Sequence, residues 1–125
     1  MTKGEAIYSF WSSFGIDAFE EYSVPTGEDS PTAPYVAYSV AFDNFQNEVP
    51  LVGRLWYRSP SWKDINEKTA EIAKRVTEDH IFIPCEDGKL WIKRGSVMAQ
   101  DLSDDNDNMM RGKYINLVGE FLTNY

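Results

Sequence analysis

The chain has 125 residues, 42% hydrophobic and 14% aromatic, with a formal net charge of −8 and a pI of about 4.5. That length suits one domain, able to bury roughly two thirds of its unfolded surface without a metal or disulfide staple. One cysteine, Cys85, rules out an internal disulfide. The acidic balance argues against gripping a phosphate backbone, and no apolar run approaches the ~20 residues of a membrane span.

The first predicted element is a short helix over residues 4–14. Ala6, Ile7, Phe10, Trp11 and Phe14 recur there at spacings that build one apolar face, and Gly15 stands where a helix ends. Serines and Glu5 break its apolar run, so it is not expected to be a signal peptide, and the protein is expected to stay in the cell that makes it. Residues 18–24 read as a short strand. "PTGEDSPTAP" (25–34) is turn chemistry throughout and reads as a loop. Residues 35–42 and 51–59 are β-branched and aromatic, and a polar link with Asp43, Asn44 and Asn47 joins them, so they are expected to pair antiparallel.

Residues 59–80 carry the clearest pattern. Trp62, Ile65, Thr69, Ile72, Ala73 and Val76 recur at helical spacing, with charges on the remaining positions. Pro60 fits the first helical turn and Ser59 or Ser61 the cap. "EDG" at 86–88 predicts a hairpin of residues 81–85 and 89–94. Residues 96–110 read as a long acidic connection. Residues 111–125 read as a last strand, with Ile115, Leu117 and Phe121 on one face and Tyr114, Asn116, Val118 and Glu120 on the other. The sum is an α+β fold in one domain over 1–125: a mostly antiparallel sheet, one long amphipathic helix packed on it, and a short N-terminal helix.

Catalytic chemistry is hard to find in this order of residues. His80 and Cys85 stand five apart, which in one extended strand puts them on opposite faces, with Pro84 between. A lone Cys and a lone His do not make a zinc site. "DLSDDNDNM" (101–109) fails the calcium-loop pattern: counted from Asp101, position twelve is Gly112, and counted from Asp105, position five is Met109. An enzyme is not expected, and neither is a cofactor or a bound metal.

"LWYRSPSW" (55–62) running from a strand into a helix with "KTAEIAKRV", then "LWIKRGSVMAQDLSDDNDNMMR", then a terminal "YINLVGEFLTNY", resembles one family in its order and spacing. The openings "IYSFWSSFGIDAFEEYSVP" and "PYVAYSVAFDNFQNEV" are similar as well. The family is the small tail-completion, or tail-terminator, proteins of long-tailed (siphovirus-type) phages and of prophages in Gram-positive bacteria. The resemblance spans nearly the whole chain. It implies a structural protein that forms a ring, usually a homo-hexamer, on the head-proximal end of the tail tube. Such a ring stops tube polymerisation and joins tail to head. The implied partners are further copies of itself, the tail tube protein and the head–tail connector, with DNA only passing through and no membrane. The implied location is the virion tail, and the host bacterial cytoplasm during assembly. The alternatives are another head–tail joining or minor tail protein, or a non-phage α+β domain that binds a small molecule or a protein.

A closed ring needs two different surfaces on each subunit, and a lumen that passes DNA should not bind phosphate. Asp101, Asp104, Asp105 and Asp107 are therefore candidates for a lumen lining or a contact loop. Lys93, Arg94 and Arg111 flank that run and are candidates to pair with acids of the next subunit. On the strand through residues 51–59, Leu55 and Tyr57 share one face and Arg54, Trp56 and Arg58 the other. Trp62 is expected in the core. If the arginine face points away from the helix, Trp56, with Arg54 and Arg58 around it, is a candidate anchor of a subunit contact; the alternative is packing under the N-terminal helix. The 25–34 loop is expected to meet the tail tube or the connector.

Overall fold

The structure is a computed structural model that describes residues 2–40, 48–79, 81–86, 88–103 and 107–123. Helix α1 spans Lys3–Ser12 and is followed by strand β1, Asp17–Glu20. After two short 3-10 turns come β2 (Tyr35–Val40) and β3 (Glu48–Arg58). Helix α2 (Lys63–Glu78) leads to β4 (Phe82–Cys85), β5 (Gly88–Ser103) and β6 (Met110–Thr123). The fold is α+β, with one six-stranded sheet in the order β1-β2-β3-β6-β5-β4.

The start of α1 is fixed locally. The Thr2 hydroxyl accepts from the Glu5 N–H at 3.1 Å, and the Glu5 carboxylate accepts from the Thr2 N–H at 3.0 Å, a reciprocal capping box. Those Thr2 bonds hold the Glu5 carboxyl below the usual carboxylate value. The helix stops at Ser12, and Gly15 takes the left-handed conformation (φ 80°) that turns the chain towards β1.

The register assigns the faces. β3 and β6 pair antiparallel with Val49 opposite Gly119, Leu51 opposite Leu117 and Gly53 opposite Ile115. This row set is buried, and both helices lie on it. Ile7, Phe10 and Trp11 of α1 and Ile65, Ile72 and Val76 of α2 join Leu51, Leu55, Leu90, Ile92, Ile115 and Leu117 in one core. α1 packs against β1 and also against β4, the two outer strands of the sheet. The sheet therefore curls around α1, and Trp11 sits deepest, fully buried. Its ring stacks on Tyr38 (6.4 Å, 15°) and meets Phe10 edge-on at 5.0 Å. Gly53 makes room for it, since a Cβ at that position would stand 2.6 Å from the indole Cη2.

Several expectations are corrected. The sheet is mixed, because β1 pairs parallel with β2; the loop through residues 25–34 carries the chain back so that β2 starts beside the start of β1. The strand expected over 18–24 gives way at Glu21 to a 3-10 turn, Glu21–Ser23. Residues 96–103, expected as part of a connection, continue β5 after a bulge between Arg94 and Ala99. Its polar residues are tolerated because this half of β5 has a ladder on one side only. Helix α2 begins three residues after Pro60, with Trp62 at the cap position, and the Ser61 hydroxyl, one of the two expected caps, accepts from the first helical N–H, that of Lys63, at 3.0 Å. The later start goes with residues 59 and 60 being engaged elsewhere. The Ser59 N–H donates to the Met109 carbonyl (2.8 Å), and Arg111 donates to the carbonyls of Ser59 (3.1 Å) and Pro60 (3.0 Å). Trp62 is accordingly a partly buried rim residue packed against the core. The link at 43–47 and His80 lie outside the described residues.

Replacing Gly53 by alanine drives a methyl into the Trp11 ring and should cost about 2–3 kcal/mol, read from the shift in denaturant midpoint. Because the two residues share one contact, Gly53→Ala combined with Trp11→Phe should lose less than the sum of the single changes. Strict additivity would show that the close approach does not matter.

Candidate interaction face

With both helices on one side of the sheet, the opposite face is left to strand side chains alone. Positions 48, 50, 52, 54, 56 and 58 of β3 lie on it, in register with 120, 118, 116, 114, 112 and 110 of β6. Arg54, Trp56 and Arg58 are thus brought to this face together, turned away from the helices. Leu55 points the other way and is fully buried. Trp56 lies over Gly112, where an added Cβ would meet its Cζ3 at 2.6 Å and the Leu102 Cβ at 2.9 Å. The glycine leaves room for the indole, which is partly buried. Beside it Phe19 meets Tyr35 edge-on at 6.2 Å, carrying the aromatic row to the β1 edge.

The arginines on this face are already partnered. Arg54 pairs with Glu21 and its guanidinium lies 6.0 Å from the Tyr114 ring centroid. Arg58 pairs with Asp107. The other Asp107 oxygen accepts from the Met109 N–H at 3.0 Å, shaping the turn into β6. Lys93 donates to Glu48 at 2.6 Å and to Glu120 at 3.0 Å, tying β5, β6 and β3 across the face. Its ammonium also lies 4.6 Å from the Trp91 ring centroid, and Trp91 stacks on Phe82 (5.6 Å, 19°).

The remaining candidates lie elsewhere. Arg111 faces the helix side, 5.3 Å from the Trp62 ring centroid, with Lys113 5.6 Å from the same ring. Asp101 is part of β5 and pairs with Lys113, directly opposite it in the ladder. Arg94 is exposed and forms no ion pair among the described residues. Asp104 and Asp105 fall outside the described residues. The acidic run is therefore divided, with Asp101 holding a strand and Asp107 holding a turn. The Phe82–Trp91 pair and the Glu48–Lys93–Glu120 bridge were missed. The first was readable, because a two-residue hairpin turn that sets Cys85 opposite Gly88 also sets Phe82 opposite Trp91. The second was not, because Lys93 and Glu48 are 45 positions apart in sequence.

Among the described residues, open clefts lie at the surface, and the three below hold no nucleophile and base in hydrogen-bond contact. One of ≈ 270 Å³ runs between Tyr57 and the Asp64, Glu67, Lys68 and Glu71 side of α2. One of ≈ 350 Å³ lies between the end of α1 and β1. One of ≈ 380 Å³ lies between Ser9 and Ser13 of α1, Arg75 and Asp79 at the end of α2, and residues 81–83. Among the described residues no three His, Cys, Asp or Glu side chains converge as a metal site requires. No helix is long and apolar enough to cross a membrane. In comparisons with known proteins, no family model, no curated protein and no solved structure matches the chain.

Three groups tie stability to alkaline pH. The bonds to Glu48 and then Glu120 hold Lys93 above its ordinary 10.5. Burial holds Tyr38 and Tyr57 above their ordinary 10.0. In each case the folded chain favours the protonated form. The stability involved is complete below the ordinary values and is lost as pH rises through the folded ones. The denaturant midpoint should hold steady from about pH 7 to 9 and fall above about pH 10. Lys93→Met leaves Glu48 and Glu120 facing each other and should cost about 1 kcal/mol at neutral pH. It should also make the alkaline fall shallower; an unchanged slope would mean that Lys93 is not one of the groups responsible.

Proposed function

We propose that this chain is a structural protein of the head–tail junction of a long-tailed phage or prophage. In this reading it caps the head-proximal end of the tail tube as a ring, stops the tube from growing and presents a surface to the head connector. The observation that carries the reading is the sheet face opposite the helices. The described elements leave it uncovered, it holds a row of aromatics, and Arg54, Arg58 and Lys93 on it are already paired within the chain. Such a face suits protein contact, since aromatic area is available for burial and docking strands no unpaired arginine there. The net charge of −8 suits a lumen that passes DNA without holding it. The motif order of the sequence supplies the identity of the partners: the tail tube protein, the connector and further copies of the chain.

The test is to add purified protein to polymerising tail tube protein. Tubes should stop growing and carry a ring at one end in negative-stain images, and Trp56→Ala should weaken capping roughly tenfold or more, as expected of an aromatic anchor. Uncapped tubes of unrestricted length at a stoichiometric excess would remove the reading. Replacing residues 26–30, which are exposed, by a glycine–serine run of the same length keeps the parallel β1–β2 connection and should leave the far-ultraviolet dichroism intact while impairing capping or connector binding. If both activities survive the replacement, that loop is not a contact.

A further inference from the structure

Among the described residues, β1 at one margin of the sheet and the part of β5 that β4 does not reach each lack a partner strand on one side, and the registers place these two stretches at one level. Asp17 is aligned through Tyr35, Trp56 and Gly112 with Leu102, and Glu20 through Tyr38, Gly53 and Ile115 with Ala99. Residues 17–20 and 99–102 are thus the two ends of the same four rows. β4 covers β5 only at its beginning, where Phe82 faces Trp91 and the Ile92 N–H bonds to the Ile81 carbonyl (3.0 Å). Beyond that point β5 is bonded to β6 alone, and β1 is bonded to β2 alone. Among the described residues no backbone bond from outside the ladders reaches either edge. The polarity fits as well. β1 is parallel to β2, and three antiparallel steps then separate β2 from β5, so β1 and β5 run in opposite directions.

Building on the ring reading above, we propose that the β1 edge (Asp17–Glu20) of one copy adds antiparallel to residues 99–102 of β5 in the next copy. The sheet would then continue from subunit to subunit, with the helices on one side of the wall. Strand addition satisfies the edge backbone groups that otherwise invite uncontrolled pairing. The two edges differ, so the contact is head-to-tail. They also lie in the same rows, so no axial step accumulates from copy to copy, and head-to-tail contacts without a rise close into a ring instead of a filament. The charges agree. Glu20 and Arg94 are both exposed and make no ion pair among the described residues. Both lie on the helix side of the sheet, in rows marked by Ile115 and Leu117 respectively. Across the seam they would be diagonal neighbours about 7 Å apart along the strand, within reach of their long side chains.

The experiment uses the full chain with Cys85→Ser, Glu20→Cys and Ala99→Cys, oxidised at high protein concentration and run on a non-reducing denaturing gel. The two cysteines sit at opposite margins of five strands, so a bond between them joins copies. A ladder ending in one closed species is expected. In the unmodified background, Glu20→Arg and Arg94→Glu should each weaken assembly roughly tenfold by native mass spectrometry, and the double swap should restore it. Assembly without crosslinking, and without sensitivity to either charge change, would overturn this seam and leave the ring reading standing. A monomer at millimolar protein in both experiments would overturn the seam together with self-assembly of the ring.

Discussion

Everything in this fold is arranged around one large side chain in a narrow place. Trp11 is fully buried between α1 and the sheet, flat against Tyr38 and directly over Gly53. Burying an indole of this size contributes a few kcal/mol from apolar area alone. It has a cost, since the indole N–H finds no acceptor among the described residues, and a buried unmet donor typically costs about 1–3 kcal/mol. Gly53 removes the steric objection by giving up its Cβ. With α1 seated so deeply, the sheet curls until both of its outer strands touch the helix. α2 is then tied alongside. The Lys68 ammonium donates to the Phe14 carbonyl at 2.8 Å, and the Arg75 guanidinium donates to the Ser13 hydroxyl at 2.9 Å while lying over the Phe14 ring.

That choice of side determines what is left for other molecules. Two helices on one face use up the apolar rows of β3, β5 and β6. The alternate rows then carry Arg54, Trp56, Tyr114, Trp91 and Lys93 outward. A second tryptophan repeats the arrangement of the first, with Trp56 over Gly112 as Trp11 is over Gly53. The inner tryptophan packs the helix onto the sheet, while the outer one lies on the face that the proposed ring would use. The ion pairs around it are solvent-facing and each contributes about 1 kcal/mol or less. Their main effect is to hold long side chains in fixed positions, so that docking meets an ordered surface.

Much of this was legible along the chain. The 3.6-residue spacing of Ile65, Ile72 and Val76 marks α2, and the alternation of Leu55 against Arg54 and Trp56 marks β3 and its two faces. The turn at 86–88 marks the β4–β5 hairpin. These features are local, set by periodicity and turn chemistry within a few residues. The second half of β5 was not legible. "SVMAQDLS" has the composition of a connection, and its residues 99–103 join the sheet because residues 111–115 offer them a ladder. The start of α2 was misplaced for a related reason: Met109 and Arg111, some fifty positions away, engage the backbone that would otherwise begin the helix.

The sequence by itself determined both helices and the main strands, the buried face of each of those strands and the acidic character of the surface, because each depends on neighbours in the chain. Only the tertiary structure decided that β1 joins the sheet parallel, that Lys93 bridges Glu48 and Glu120, and that β1 and the part of β5 that β4 does not reach lie in the same rows. Those features depend on which distant segments meet, and a meeting between segments is fixed by how the sheet curls around Trp11, which no local pattern encodes.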